Sequence, residues 1–191
     1  MSGYKLRLIL YTNTQTWREI EIPDDISFFQ LSYAIKKIFG FKGNHMSQFK
    51  VPEEVPEEDA VDLNSIVETI ESGDYLRVGI SDVFEKHDIL VYEYDFGDGW
   101  EIIVHKLEKT DYKNKTALIT DYKGKYNPRD DIGGPFVFDE IMEVIDDEED
   151  LEYVLDEYGL TKEDLDDMNF ENTYKKGSRI RLNDIRVISL H

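Results

Sequence analysis

The sequence predicts a single α+β domain spanning residues 1–191, on three observations. Its first part alternates in strand period, breaks into one amphipathic helical stretch and returns to strand. Its centre carries two alternating apolar runs around a Gly-Asp-Gly turn. Its later part shifts to helical period before closing on an apolar run.

Residues 4–10 alternate, with Leu6, Leu8 and Leu10 on one face. Asn13 and Thr14 supply a turn, and Trp17 to Ile22 returns as a second strand. Ser27 with Gln30 forms a capping-box pattern, Ile26 with Leu31 a staple, and Gly40 a stop. Between them Phe28, Leu31, Ile35 and Ile38 share a helical face. This strand-strand-helix-strand start is β-grasp-like in order. Residues 52–60 (PEEVPEEDA) read as a surface loop, and Leu63, Ile66, Val67 and Ile70 fit a short helix. Ser81 caps a further turn through Phe84.

The hairpin follows: Leu90, Tyr92, Tyr94 and Phe96, then Trp100, Ile102 and Val104. A two-residue loop would oppose Phe96 with Glu101. A loop of Gly97-Asp98-Gly99 instead pairs Phe96 with Trp100, Tyr94 with Ile102 and Tyr92 with Val104, every member apolar or aromatic. That register sets Asp95 opposite Glu101, with Glu93 on the same face. Opposed like charges destabilise a hairpin. An open, screened face, a partner such as Arg129 or Arg18, or a divalent metal on Asp95 and Glu101 would relieve them.

Residues 117–122 read as another strand, and Asn127 to Pro135 as a turn-rich loop. Phe138, Ile141, Met142 and Ile145, then Leu151, Val154, Leu155 and Tyr158, continue as an acidic helical region. The run DDEED at 146–150 marks a solvated face or a break. Thr161 and Asp164 cap a last helix. Ile185, Val187, Ile188 and Leu190 are expected to close the chain as a buried strand, in a mixed sheet packed against helices.

Aromatics at 13% give the chain a core to bury. They separate it from disordered acidic tails, which are poor in such residues. The absence of cysteine removes disulfides and thiolate metal sites and fits a reducing cytoplasm. No apolar run approaches the ~20 residues that span a bilayer, and the N-terminus lacks a signal peptide's apolar stretch. A net charge of −20 disfavours bare nucleic acid and leaves protein as the expected partner.

No catalytic set is recognisable. Asp95-Phe96-Gly97 lacks every companion of the kinase magnesium motif, and Asp95 with Asp98 breaks calcium-loop spacing. No cofactor is evident beyond the divalent metal considered above. His45 is a ligand or a loop-packing residue, and His87, His105 and His191 show no ligand spacing. Trp17 and Trp100 read as core aromatics. Arg18 binds an anion or closes an internal salt bridge. Gly133 and Gly134 expose N–H groups to an anion or simply turn the chain.

The run Tyr92-Glu93-Tyr94-Asp95-Phe96-Gly97-Asp98-Gly99-Trp100-Glu101 resembles the signature of the Ri-plasmid (pRiA4b) ORF-three-like family, whose members are also described as insertion-element passenger proteins. Trp17-Arg18, the segment Ile38 to Phe41 with His45 and Phe49, and Pro128, Asp130, Asp131, Gly133, Gly134 and Pro135 are similar in order, so the resemblance spans residues 4–140. Ile102 stands where that family often has His, and Ile132 where it often has Cys. The resemblance implies a shared fold and supplies no reaction. The expected function is a non-enzymatic, protein-binding or adaptor domain, associated with plasmid or mobile elements. The alternative is a small metal-dependent hydrolase built on Asp95, Glu101, Asp130 and Asp131.

Overall fold

The computed structural model describes residues 2–54 and 61–182. It is an α+β fold: an eight-stranded sheet with five α-helices, in strand order β4-β3-β5-β6-β1-β2-β7-β8. The strands are β1 (Gly3–Leu10), β2 (Trp17–Pro23), β3 (Ser47–Glu54), β4 (Val61–Glu71), β5 (Ile89–Tyr94), β6 (Trp100–Thr110), β7 (Thr116–Lys123) and β8 (Arg179–Arg181). The helices are α1 (Phe28–Ile38), α2 (Ile80–Phe84), α3 (Gly134–Glu143), α4 (Glu148–Glu157) and α5 (Lys162–Met168). Every described pairing is antiparallel, which corrects the expected mixed sheet. No helix among the described residues is long and apolar enough to cross a membrane.

Alternation decides the two faces. Leu6, Leu8, Ile20 and Ile22 are fully buried with Tyr92, Trp100, Ile102 and Val104. α1 covers that face, its Phe28 ring 4.8 Å from Phe49 and its Ser32 hydroxyl 2.9 Å from the Tyr92 hydroxyl. α2 meets it through Phe84 against Tyr4, and α3 through Phe138 against Trp100. The other face carries charge, as one-sided antiparallel sheets do. There Glu19 lies 3.0 Å from Lys5 and 2.5 Å from Arg7.

Local signals set the helix ends. The Gln30 side chain accepts the Ser27 N–H at 3.1 Å, which closes one half of the capping box. Gly40 turns left-handed, at φ 77°, just past α1. Asp147, inside the acidic run, accepts the N–H groups of Glu149 and Asp150 and so starts α4. Thr161 and Asp164 cap α5 reciprocally.

Three expectations fail for physical reasons. Residues 61–71 form edge strand β4, with Ile66 opposite Pro52 and Ile70 opposite Phe49, where a short helix is predicted. Leu63, Ile66, Val67 and Ile70 are spaced as on a helix, but β-branched Ile and Val favour the sheet and β3 offers an edge to pair with. The predicted loop likewise begins late, because β3 runs on through Pro52 to Glu54 past a bulge. Gly79, not Ser81, caps α2: its N–H is accepted by Asp82, while the Ser81 hydroxyl donates to the Asp24 carbonyl. The predicted closing strand at 185–190 lies outside the described residues.

Candidate functional site

The hairpin loop is five residues long. Tyr94 pairs with Trp100, Tyr92 with Ile102, Leu90 with Val104 and Glu93 with Glu101. The register is therefore two residues away from the predicted one. A shift of two keeps every side chain on its face, so alternation cannot distinguish the two registers. Asp95 makes the difference. It adopts a left-handed backbone (φ 55°), its carbonyl accepts the Gly99 N–H, and its Oδ1 accepts the Gly97 N–H at 3.1 Å. This turn takes Asp95 and Phe96 out of the ladder, leaving Phe96 46% exposed.

The opposed carboxylates are consequently Glu93 and Glu101, not Asp95 and Glu101. Their relief comes from Lys50 on β3, whose Nζ lies 2.8 Å from Glu93 and 3.6 Å from Glu101. Neither expected arginine takes part. Arg129 pairs with Asp164, and Arg18 is fully buried with no carboxylate in salt-bridge contact among the described residues. The Arg18 guanidinium donates to the carbonyls of Trp17 and Lys123 and to Asn127 Oδ1, and lies 4.0 Å over the Phe170 ring. Burial lowers its pKa to about 10.

Asp95 Oδ2 instead lies 3.2 Å from His45 Nδ1, and His45 Nε2 lies 3.4 Å from Asp131 Oδ1. One donor atom from each of these three residues falls within 4.8 Å of the others. Each comes from a different segment: the stretch between α1 and β3, the hairpin loop, and the loop before α3. Asp95 and Asp131, the latter at φ 64°, are the described non-glycine residues with left-handed backbone. Asp tolerates that conformation better than most side chains do. Backbone strain of this kind concentrates where geometry is over-determined by its surroundings.

Beneath the cluster the Phe41 ring stacks on Tyr94 at 4.4 Å, and the His45 ring meets Tyr94 edge-on at 5.8 Å. The Tyr94 hydroxyl accepts the Gly43 N–H and donates to Asp130 Oδ2, which also accepts the Lys42 N–H at 2.9 Å. Burial, reinforced by Asp130, pushes the Tyr94 pKa up to about 12. Asp130 is buried, and its Oδ1 has no hydrogen-bond partner among the described residues. The two acidic loops touch: a Cβ on the left-handed Gly134 would collide with the Asp98 carbonyl oxygen. Gly133 is similarly closed by Val137.

Of the residues singled out in the sequence, His45, Asp95 and Asp131 form the cluster, and Tyr94, Asp130, Asp98 and Gly134 support it. Tyr92 and Trp100 are fully buried in the core. Trp17 lies under the Arg7 guanidinium, 4.9 Å away. Glu101, Arg18 and Arg129 have the other partners described above. Sequence reasoning passes over Met46 and Phe136 and places Phe96 on the hairpin's apolar face, whereas these residues are 67%, 72% and 46% exposed respectively. Their signal is position alone, since each lies in or beside a segment that carries a cluster residue.

No curated protein matches the sequence. Among solved structures, a protein of unknown function, MM3350 from Methanosarcina mazei Go1, superposes with a TM-score of 0.66 at 23% identity, over 81% of this chain and 87% of that one. At that identity the likeness speaks for the fold. Residues 3–183 match the family described as plasmid pRiA4b ORF-3-like protein. With almost the whole chain matched, the protein belongs to the plasmid pRiA4b ORF-3-like family.

Proposed function

We propose that the protein is a non-catalytic binding domain whose recognition face is the end of the sheet around His45, organised by a divalent cation. One observation carries this reading: both ring nitrogens of His45 face aspartate oxygens, at 3.2 and 3.4 Å. A neutral imidazole has one N–H, so one of these contacts is in conflict unless a second ring proton or a cation stands there. A cation between imidazole and carboxylates removes that conflict. Mixed nitrogen and oxygen donors suit zinc or manganese better than magnesium. Bonds of roughly 2.1 Å need the donor atoms to draw together by about 1 Å. That movement is open to the exposed Asp131 side chain.

The protein-binding part of the reading is supported by Met46, Phe96 and Phe136, which place exposed apolar surface in the segments that carry the cluster. The hydrolase reading needs Asp95 and Glu101 together, and here they engage different partners.

Calorimetric titration and thermal melts with zinc and manganese test the proposal. The wild-type chain should be stabilised by one of these ions, because a ligand that binds only the folded state raises its melting temperature. Asp95→Asn and His45→Ala should lose that response while remaining folded. An equal shift in all three proteins would overturn the metal assignment. For the recognition face, Phe96→Ser with Phe136→Ser should abolish capture of a partner by the metal-loaded chain. Unchanged capture would place the partner elsewhere.

A further inference from the structure

A second site borders the same loop. A cavity of about 270 Å³ lies between α1, the segment leading into β3 and the turn after β4. Ser32 and Lys36 line it from α1, Asn44 and Ser47 from the segment before and into β3, and Phe29 and Tyr75 form its aromatic walls. The Tyr75 hydroxyl donates to Ser47 Oγ at 3.3 Å. Ser47 also bonds the Tyr92 hydroxyl, so its own hydroxyl is engaged by two tyrosines and serves to fix the cavity wall. Burial holds the Tyr75 pKa above its ordinary value, so this donor stays protonated.

Lys36 is the informative residue. It lies in the last turn of α1, where a cation favours the helix dipole, but the neighbouring Lys37 already serves there and stands over the Tyr33 ring. Lys36 instead runs beside Gly43, where a Cβ would stand 3.7 Å from its Nζ. Among the described residues no carboxylate pairs with it, although acids outnumber bases by 42 to 22 in the chain. Its partial burial, with no compensating charge, lowers its pKa.

We infer that this cavity binds a small organic monoanion, a carboxylate on a flat or apolar body, with Lys36 supplying the counter-charge. The Asn44 amide donates to a carboxylate oxygen beside Lys36, and Phe29 and Tyr75 enclose the body. A single ammonium matches a single negative charge. The strongly acidic protein disfavours a dianion such as phosphate more than it does a monoanion. His45 and Met46 also line this cavity, so the test uses chelator-treated protein to keep carboxylate binding distinct from a cation at His45.

The experiment is ligand-observed saturation-transfer NMR on the full chain, with benzoate and hexanoate as probes, benzamide as the uncharged counterpart, and inorganic phosphate in competition. At least one carboxylate should bind, with benzamide and phosphate weaker. Lys36→Met should weaken carboxylate binding by about tenfold or more, the scale of one charge-assisted hydrogen bond. Lys36→Arg should keep most of it, and melting curves confirm that both variants fold. Should Lys36→Met prove unfolded, Asn44→Leu, which removes the second donor, should weaken carboxylate binding, and unchanged binding would overturn the assignment. The assignment is overturned if neither carboxylate binds, if benzamide binds as well as benzoate, if phosphate outcompetes both, or if folded Lys36→Met binds like the wild type.

Discussion

Lys50→Met isolates the electrostatics of the hairpin. The change leaves Glu93 and Glu101 facing each other across β5 and β6 with no cation between them. Directly opposed residues have side chains ~5 Å apart. At that distance, with an effective dielectric of ~20–40, the Coulomb repulsion is roughly 1.5–3 kcal/mol. The two side chains are 18% and 24% exposed, so they can splay towards solvent and are partly screened. The net loss should therefore be about 1–2 kcal/mol. In a chain of this size each kcal/mol moves the melting temperature by about 2–4 °C, which predicts a fall of about 2–8 °C. Glu101→Gln in the Lys50→Met background should recover at least half of it, and added salt should narrow the gap. A double-mutant cycle read by thermal and urea unfolding gives the coupling directly. If Lys50→Met melts with the wild type, or Glu101→Gln restores nothing, Lys50 does not hold the pair together.

The remaining predictions concern the loops and the buried polar groups. Gly134→Ala should part the hairpin loop from the loop before α3, because its Cβ would run into the Asp98 carbonyl. The expected cost is about 2 kcal/mol or more, and unchanged unfolding would refute the contact. Asp130→Asn should be nearly neutral, since one carboxylate oxygen already lacks a partner. Asp130→Ala should instead lose about 1–2 kcal/mol, and equal losses would refute the distinction. Alkaline titration should show Tyr92 and Tyr94 ionising late, both raised by burial from 10.0 to about 12. A raised folded pKa means that their stabilisation is intact below pH 10.0 and is lost as pH rises towards about 12. Tyr94→Phe should therefore resist alkaline unfolding better than wild type in that window, as tyrosinate absorbance and unfolding curves decide.

Which residues face inward is legible in the chain alone. Strand alternation identifies Leu6, Leu8, Ile20, Ile22, Tyr92, Trp100 and Ile102, and all are fully buried. Cap chemistry is equally local, so the ends of α1 and α5 are readable at Ser27, Gln30, Thr161 and Asp164. Parity is where local reading stops. Two registers that differ by two residues bury the same face, and only the left-handed Asp95, whose carbonyl and carboxylate close the turn, selects one. Tertiary pairing also overrides local spacing at 61–71, where Leu63, Ile66, Val67 and Ile70 are spaced as on a helix but β3 offers an edge to pair with. Partners lie further from reach, since they depend on which distant segments meet. Lys50 relieves Glu93 and Glu101 because β3 lies beside β5, and His45 reaches Asp95 and Asp131 because three segments, separate along the chain, meet at one end of the sheet. Periodicity and capping act over a few residues and are written in the chain, whereas charge pairing acts across space and is fixed only when the sheet has formed.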